Sequence, residues 1–141
     1  EAVGEKYLDK YFSTIKSSLN TNGTAAIQGI TIRDDLFKRY RSSEDFIQKY
    51  IFPGGFLPSL NFMKSLIKKN NLSLMKVNSY PDDYAKTLAI WNKNFFKSWK
   101  GITPLGFDET FKKMWEFYLS YCEAGFKSRN INLIQFSMSN K

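Results

Sequence analysis

The run Thr24–Ile32, TAAIQGITI, constrains the fold more than any other stretch of the chain. It is mostly apolar and partly β-branched, it follows the turn sequence NTNG, and it leads into the charged sequence RDD. These features predict a buried strand. Gln28 and Gly29 interrupt its apolar character, and an unpaired amide buried in a sheet costs about 1–3 kcal/mol. We therefore expect something polar near the carboxyl end of this strand, where open α/β sheets bind their ligands.

The composition predicts a folded, soluble and intracellular chain. With 141 residues and 43% hydrophobic content, it has the length of one domain or of part of a larger one. No apolar run approaches the roughly 20 residues of a membrane-spanning helix, and the first ten residues lack the order of a signal peptide. The chain has no histidine and a single cysteine, Cys122. This excludes a Cys/His metal cluster and a histidine-based catalytic triad.

The formal charge of +8 leaves three interpretations open: a solvated surface, an anionic lipid headgroup as partner, or nucleic acid. No nucleic-acid-binding motif is present, so we expect no nucleic acid partner. Near an acidic leaflet each Lys or Arg contributes roughly 1 kcal/mol, so short basic clusters can hold a protein at an anionic membrane surface. We accordingly expect a cytoplasmic protein, peripheral at the inner face of the membrane. The clusters are Lys38, Arg39 and Arg41; Lys64, Lys68 and Lys69; and Lys93, Lys97 and Lys100.

Apolar spacing and turn signals predict the order helix, strand, helix, helix, strand, helix, helix, strand, which is an α/β pattern. Parallel strands need covered faces and neighbours on both sides, so three strands make a poor sheet by themselves. Either the chain is the C-terminal half of a doubly wound domain, which we favour, or it completes its sheet with a second copy as a homodimer. The predicted helices are 6–19, a short helix from Ser42 or Ser43 to Tyr50, 59–70, 83–101 and 107–127, and the remaining strands are 72–78 and 130–137.

Aromatic residues make up 17% of the chain and concentrate in the last two predicted helices and in the loop 51–57. In the first of these helices, Tyr84, Leu88, Trp91, Phe95 and Trp99 repeat every three or four residues. Such a stripe fills a core, since each buried aromatic stabilises the fold by roughly 1.5–3 kcal/mol. Alternatively, two such helices wall a channel for an apolar substrate. The spacing of the aromatic residues does not distinguish a core from a channel wall.

Three polar residues are ambiguous by position alone. Glu1 stands where the preceding strand of such a sheet would end, and a terminal glutamate is ordinarily solvated surface. Tyr84 begins the aromatic stripe and is ordinarily a core residue with its hydroxyl at the rim. Gln28 fits a structural and a ligand-binding role equally well.

Four ordered segments carry a resemblance to a known family. They are Glu1-Ala-Val-Gly, KYIFPGGFLPS at 49–59, DDYAKTLAIW at 82–91 and FYLSYCEAGFKSRNINLIQ at 117–135. Together they resemble, from end to end, the C-terminal part of the cyclopropane-fatty-acyl-phospholipid synthase family. Its members are S-adenosylmethionine-dependent methyltransferases that add a methylene across a cis double bond of phospholipid acyl chains. The resemblance implies the C-terminal half of a Rossmann-like class I methyltransferase fold, with about three strands and two long helices inserted before the last, and residues 1–141 as a single partial domain.

The resemblance also implies a site. In the family a bicarbonate ion acts as general base, and its ligands here would be Glu1, Gln28, the backbone amide of Ile30 and Tyr84. Many relatives have histidine at the position of Gln28; glutamine can donate and accept hydrogen bonds but carries no charge. The glycine-rich S-adenosylmethionine loop would lie upstream of Glu1, so we expect this chain alone neither to bind that cofactor nor to be active. The alternative is a non-enzymatic lipid-binding or dimerisation module from a truncated gene.

Overall fold

The structure, a computed structural model, describes residues 2–140. They form two compact units: a sheet unit, made of the residues up to Tyr80 together with those from Ile131 onward, and a helical hairpin, Pro81–Asn130. In chain order the elements are α1 (Gly4–Ser18), β1 (Thr24–Ile32), α2 (Asp34–Arg41), a π-helix (Ile47–Ile51), α3 (Leu60–Lys69), β2 (Ser73–Ser79), α4 (Pro81–Ile102), a 3-10 turn (Thr103–Leu105), α5 (Glu109–Lys127) and β3 (Ile131–Ser139).

The sheet has the order β1-β3-β2, and β3 runs antiparallel to both neighbours. It is therefore not a purely parallel sheet. The start of β3 lies beside the end of β2, where the amide of Tyr80 donates to the carbonyl oxygen of Leu133 at 2.8 Å. The last strand of the chain thus becomes the central strand of the described sheet.

The most deeply buried strand is β3, and the prediction that Thr24–Ile32 is buried is wrong. The bounds of that strand are confirmed, but its side chains alternate between half-buried and exposed up to Gly29, and within it only Thr31 is buried. The physical reason is that one face of β1 packs against the core, through Ala25 and Ile27, whereas Thr24, Ala26 and Gln28 on the other face are exposed. A strand with one solvated face shows this alternation.

The core of the sheet unit lies between one face of the sheet and helices α1 and α3. From β3 it contains Ile134, Phe136 and Met138, which point to the same face because side chains alternate along a strand. Each of them is at most 4% exposed. The helices and connecting segments contribute Leu8, Phe12, Phe56, Met63, Leu66, Ile67 and Leu72.

Capping residues predict the start of α3 correctly, but they predict the wrong helix in the segment between β1 and α3. Ser59 caps α3, accepting a hydrogen bond from the amide of Phe62 at 3.2 Å, as its position before the apolar run predicts. The predicted short helix from Ser42 or Ser43 to Tyr50 is wrong: the helix is α2, and a π-helix follows at Ile47–Ile51. Acidic residues in the first turn of α2 and basic residues in its last turn complement the helix dipole, so the charged sequence is helical.

The helical hairpin consists of α4 and α5 packed against each other. The ring of Tyr84 lies edge-on to Phe126 at 4.9 Å between centroids, and Phe95 lies 6.3 Å from Phe111. Asp108 caps α5 by accepting from the amide of Phe111 at 2.8 Å. The predicted aromatic stripe of α4 therefore supplies contacts between the two helices. No helix of residues 2–140 combines the length and the apolar character needed to cross a bilayer.

Candidate functional site

A row of three side-chain amides crosses the sheet on the face opposite the core. Gln135 of β3 lies opposite Gln28 of β1 and opposite Asn78 of β2. Directly opposed residues of antiparallel strands project from the same face. The neighbouring row, Ile27, Phe136 and Val77, belongs to the core. The amide row is therefore a polar band next to a row of the sheet that packs against the core.

One hydrogen bond sets the orientation of the Gln28 amide. Gln135 donates from Nε2 to Oε1 of Gln28 at 3.0 Å. Because a side-chain amide is planar with its oxygen and nitrogen on opposite branches, engaging Oε1 directs the two Nε2 hydrogens elsewhere. Gln28 then presents hydrogen-bond donors rather than an acceptor. A group of this kind is suited to an anion.

The prediction that Gln28 is buried is corrected by the structure. Its side chain is exposed, and its amide oxygen is paired. The desolvation cost that suggested a buried ligand therefore does not apply to it. Gln28 lies on the solvated side of β1, and its partner Gln135 comes from 107 positions further along the chain.

The other three predicted site residues lie in different parts of the chain. Ile30 lies two positions beyond Gln28, opposite Leu133, and its side chain is half-buried. Tyr84 belongs to the helical hairpin; it is half-buried, and its ring contacts Phe126 and lies 6.1 Å from Trp91. Glu1 lies outside the described residues. Gln28 and Ile30 thus share one strand, whereas Tyr84 is held by hairpin packing.

Two of the resemblance segments meet in the sheet unit. Gly4, which ends the sequence Glu1-Ala-Val-Gly, has a φ of +68°, and a Cβ at that position would lie 3.1 Å from the carbonyl oxygen of Gly54. Gly54 belongs to KYIFPGGFLPS and has a φ of +80°. Both glycines adopt a left-handed conformation that side chains disfavour. The backbone conformation at these two positions therefore accounts for the glycines without a role in catalysis.

The carboxyl end of β1 is attached to the same segment. The amide of Ile32 donates to the carbonyl oxygen of Pro58 at 3.1 Å, and Ile32 forms a parallel bridge with Ser59. The amide of Leu57 donates to the hydroxyl of Tyr40 at 3.0 Å, and Phe56 is buried in the core. The segment KYIFPGGFLPS thus fixes the end of the strand that carries Gln28 and Ile30.

Sequence reasoning missed Gln135 and Asn78. The resemblance segment 117–135 ends on Gln135, but no local pattern shows which residue faces it across the sheet. Only the strand register, which depends on contacts between distant parts of the chain, brings the three amides into one row. Among residues 2–140, no cluster of three or more His, Cys, Asp or Glu residues has the geometry of a metal site.

The fold is the C-terminal part of the class I S-adenosylmethionine-dependent methyltransferase fold. The chain superposes with a TM-score of 0.87 on the crystal structure of mycolic acid cyclopropane synthase CmaA1 complexed with SAH and CTAB, at 26% identity. The match covers 99% of this chain and 52% of that protein. This confirms the predicted fold class, with two long helices between the second and third strands.

Residues 1–136 match the family model described as mycolic acid cyclopropane synthetase, and the chain belongs to this family. It is 37% identical to tuberculostearic acid methyltransferase UfaA1 of Mycobacterium tuberculosis, over 98% of this chain and 33% of that protein. It is 30% identical to the cyclopropane-fatty-acyl-phospholipid synthase of Escherichia coli, over 99% of this chain and 35% of that protein. The predicted resemblance is confirmed. The chain spans about a third of the length of these relatives.

Proposed function

We propose that the protein carrying this chain is an S-adenosylmethionine-dependent methyltransferase that adds a methylene across a cis double bond of unsaturated phospholipid acyl chains. The observation that carries this proposal is the family match over residues 1–136. The 30% identity to a cyclopropane-fatty-acyl-phospholipid synthase supports the choice of lipid substrate. S-adenosylmethionine, when bound, supplies the methyl group as a sulfonium. No residue of this chain is assigned to that cofactor, whose site we place in the part of the relatives that this chain does not span.

We further propose that this chain supplies ligands to a bicarbonate ion. The donor set fits a small oxyanion: the Nε2 hydrogens of Gln28 are directed away from Gln135, and the backbone amide of Ile30 follows on the same strand. Bicarbonate, when bound, supplies an anionic base for the proton lost as the ring closes. In this proposal Gln28, the Ile30 amide and the Tyr84 hydroxyl donate to the ion, and the Glu1 carboxylate accepts from its protonated oxygen.

A neutral glutamine changes the balance of charges at such a site. A histidine can be protonated there and add a positive charge, whereas Gln28 contributes only a dipole. Charge-assisted hydrogen bonds to an anion contribute about 1.5–3 kcal/mol each, so a well-oriented side-chain amide contributes measurably to the binding of the ion. The orientation imposed by Gln135 is therefore part of the proposal, and Gln135 is a positioning residue.

We propose that residues 1–141 form a single partial domain. Among the described residues, β3 is the only strand that pairs with β1. A strand from the rest of the protein, or from a second copy in a homodimer, would extend the sheet beside β1. Because the substrate is a phospholipid, we place the enzyme at the cytoplasmic face of the membrane.

The proposal is tested with the full-length enzyme, S-adenosylmethionine and an unsaturated phospholipid. We expect the product to gain the mass of one methylene and to lose its olefinic proton signals. A product with a gained oxygen, or with a methyl branch and no ring, would contradict the proposed reaction. A protein that transfers no methyl group to any lipid would contradict the enzyme class.

A further inference from the structure

One side of α4 is a continuous basic face. Lys86, Lys93, Lys97 and Lys100 are separated by seven, four and three positions, so they lie along one side of the helix. All four are exposed, and none forms an ion pair with another residue among 2–140. The aromatic stripe that contacts α5 lies on the opposite side. We call these four residues the lysine face.

The end of the hairpin that joins α4 to α5 exposes large apolar side chains. In the segment 96–107, which we call the hairpin tip, Leu105 is 74% exposed, Phe107 is 41% exposed and Phe96 is 39% exposed. Gly106, with a φ of +95°, turns the chain between Leu105 and Phe107. Exposed apolar groups beside polar ones are typical of sites that contact another apolar surface.

The acidic residues near the tip are already engaged. Asp108 accepts from the amide at the start of α5, and Glu109 accepts from Nε1 of Trp99 at 3.2 Å and pairs with Lys112. Between positions 93 and 113 the sequence has five lysines and only these two acidic residues. The tip and the lysine face together therefore carry a net positive charge next to exposed apolar groups.

We propose that the helical hairpin docks on an anionic lipid bilayer, with the lysine face on the lipid phosphates and Leu105 and Phe107 among the acyl chains below the headgroups. This inference rests on the proposed function, because the substrate acyl chain lies in a bilayer. Basic residues bind an acidic leaflet while neighbouring apolar side chains insert, which is the pattern of interfacial anchors.

The same observations disfavour other occupants. A second copy of this hairpin would bring like charges together, which costs binding energy. Nucleic acid would satisfy the lysine face but would gain nothing comparable from an exposed Leu105. An anionic bilayer satisfies both features at once.

The test is cosedimentation of the full-length protein with vesicles of phosphatidylcholine alone or with about one third phosphatidylglycerol. At roughly 1 kcal/mol per lysine, the double variant Lys97→Gln/Lys100→Gln should bind the anionic vesicles about 30-fold more weakly. Leu105→Ser removes an inserting side chain and should weaken binding about tenfold. The matched controls are Lys6→Gln/Lys10→Gln on α1 and Met75→Ser, whose side chains are exposed in the sheet unit.

The controls should bind like the unmodified protein, and neutral vesicles should retain little of it. The docking proposal would be overturned if the tip and lysine-face variants bound the anionic vesicles like the unmodified protein, or if the control variants lost as much binding as they do. Retention of the protein on DNA in place of vesicles would also overturn it. An assay of methyl transfer to a short-chain unsaturated phospholipid in solution needs no bilayer, so it tests the proposed function separately from the docking. If this lipid is methylated but vesicle binding does not depend on the hairpin, only the docking is refuted. If vesicle binding depends on the hairpin but no methylated product forms, only the methyltransferase activity is refuted.

Discussion

The hydrogen bond between Gln135 and Gln28 gives the sharpest prediction about the site. Gln135→Ala removes the donor that engages Oε1 of Gln28, so the Gln28 amide becomes free to rotate. Gln135→Glu does more, because a carboxylate can only accept. It would accept from Nε2 of Gln28 and so turn the amide around, presenting Oε1 where the proposed anion requires a donor.

The structure sets the expected order of effects. A neutral hydrogen bond contributes about 0.5–1.5 kcal/mol, so Gln135→Ala should lower the rate of methyl transfer by about 2- to 12-fold. Removing the donor itself with Gln28→Ala forfeits a hydrogen bond to an anion, about 1.5–3 kcal/mol, or roughly 10- to 150-fold. Gln135→Glu should reduce the rate at least as much as Gln28→Ala, although it leaves Gln28 in place.

The assay is the initial rate of methyl transfer by the full-length enzyme, with lipid binding measured in parallel. Ser137→Asp is the matched control, since it places a carboxylate on the same face of β3, two positions from Gln135 and opposite Ala26 rather than Gln28. It should cost less than Gln135→Glu. Lipid binding should change little in any of these variants. A Gln135→Glu enzyme that is as active as Gln135→Ala, or as Ser137→Asp, would refute the proposed orientation of Gln28.

Three further predictions concern stability. Gly4→Ala should lower the free energy of unfolding by about 1–2 kcal/mol, because an L residue is strained at this positive φ; an unchanged denaturation midpoint would contradict it. Ile134→Ala should cost about 2–5 kcal/mol in urea titrations, whereas Met75→Ala, at 61% exposure, should stay within about 0.5 kcal/mol. The hydrogen bond from Lys69 is the largest cause that lowers the pKa of Asp9 below its ordinary 3.8. The ionised Asp9 carboxylate therefore stabilises the fold above about pH 4, and this stabilisation is lost as the pH falls through the folded-state pKa of Asp9. In thermal melts, the Asp9→Asn variant should lack this part of the acid-induced loss of stability.

Local sequence signals were sufficient for most of the secondary structure. The bounds Thr24–Ile32 follow from a β-branched run between two turn signals, and α3 follows from the Ser59 cap and its apolar periodicity. The helix α2 was missed because most of its eight residues are charged, although Phe37 and Tyr40 pack against the core. Two half-buried aromatic side chains give too short an apolar pattern for periodicity to reveal the helix.

The site was only partly predictable, for a reason of chain topology. Family resemblance selected Gln28, and a strand pattern placed it on β1, but its hydrogen-bond partner depended on which strand lies beside it, and its exposure on which face of β1 packs against the core. That neighbour, β3, is the last strand in the chain and passes between β1 and β2. The partner Gln135 follows from this non-local pairing, which no window of sequence contains.

The central claim is that this chain helps to hold an anionic base, and the dependence of turnover on bicarbonate tests it most directly. Initial rates of the full-length enzyme would be measured in buffer freed of carbon dioxide and again with increasing bicarbonate. We predict a low rate that bicarbonate restores, with a higher half-saturating concentration in Gln28→Ala than in the unmodified enzyme. A full rate in the depleted buffer, or a half-saturating concentration unchanged by Gln28→Ala, would contradict the account.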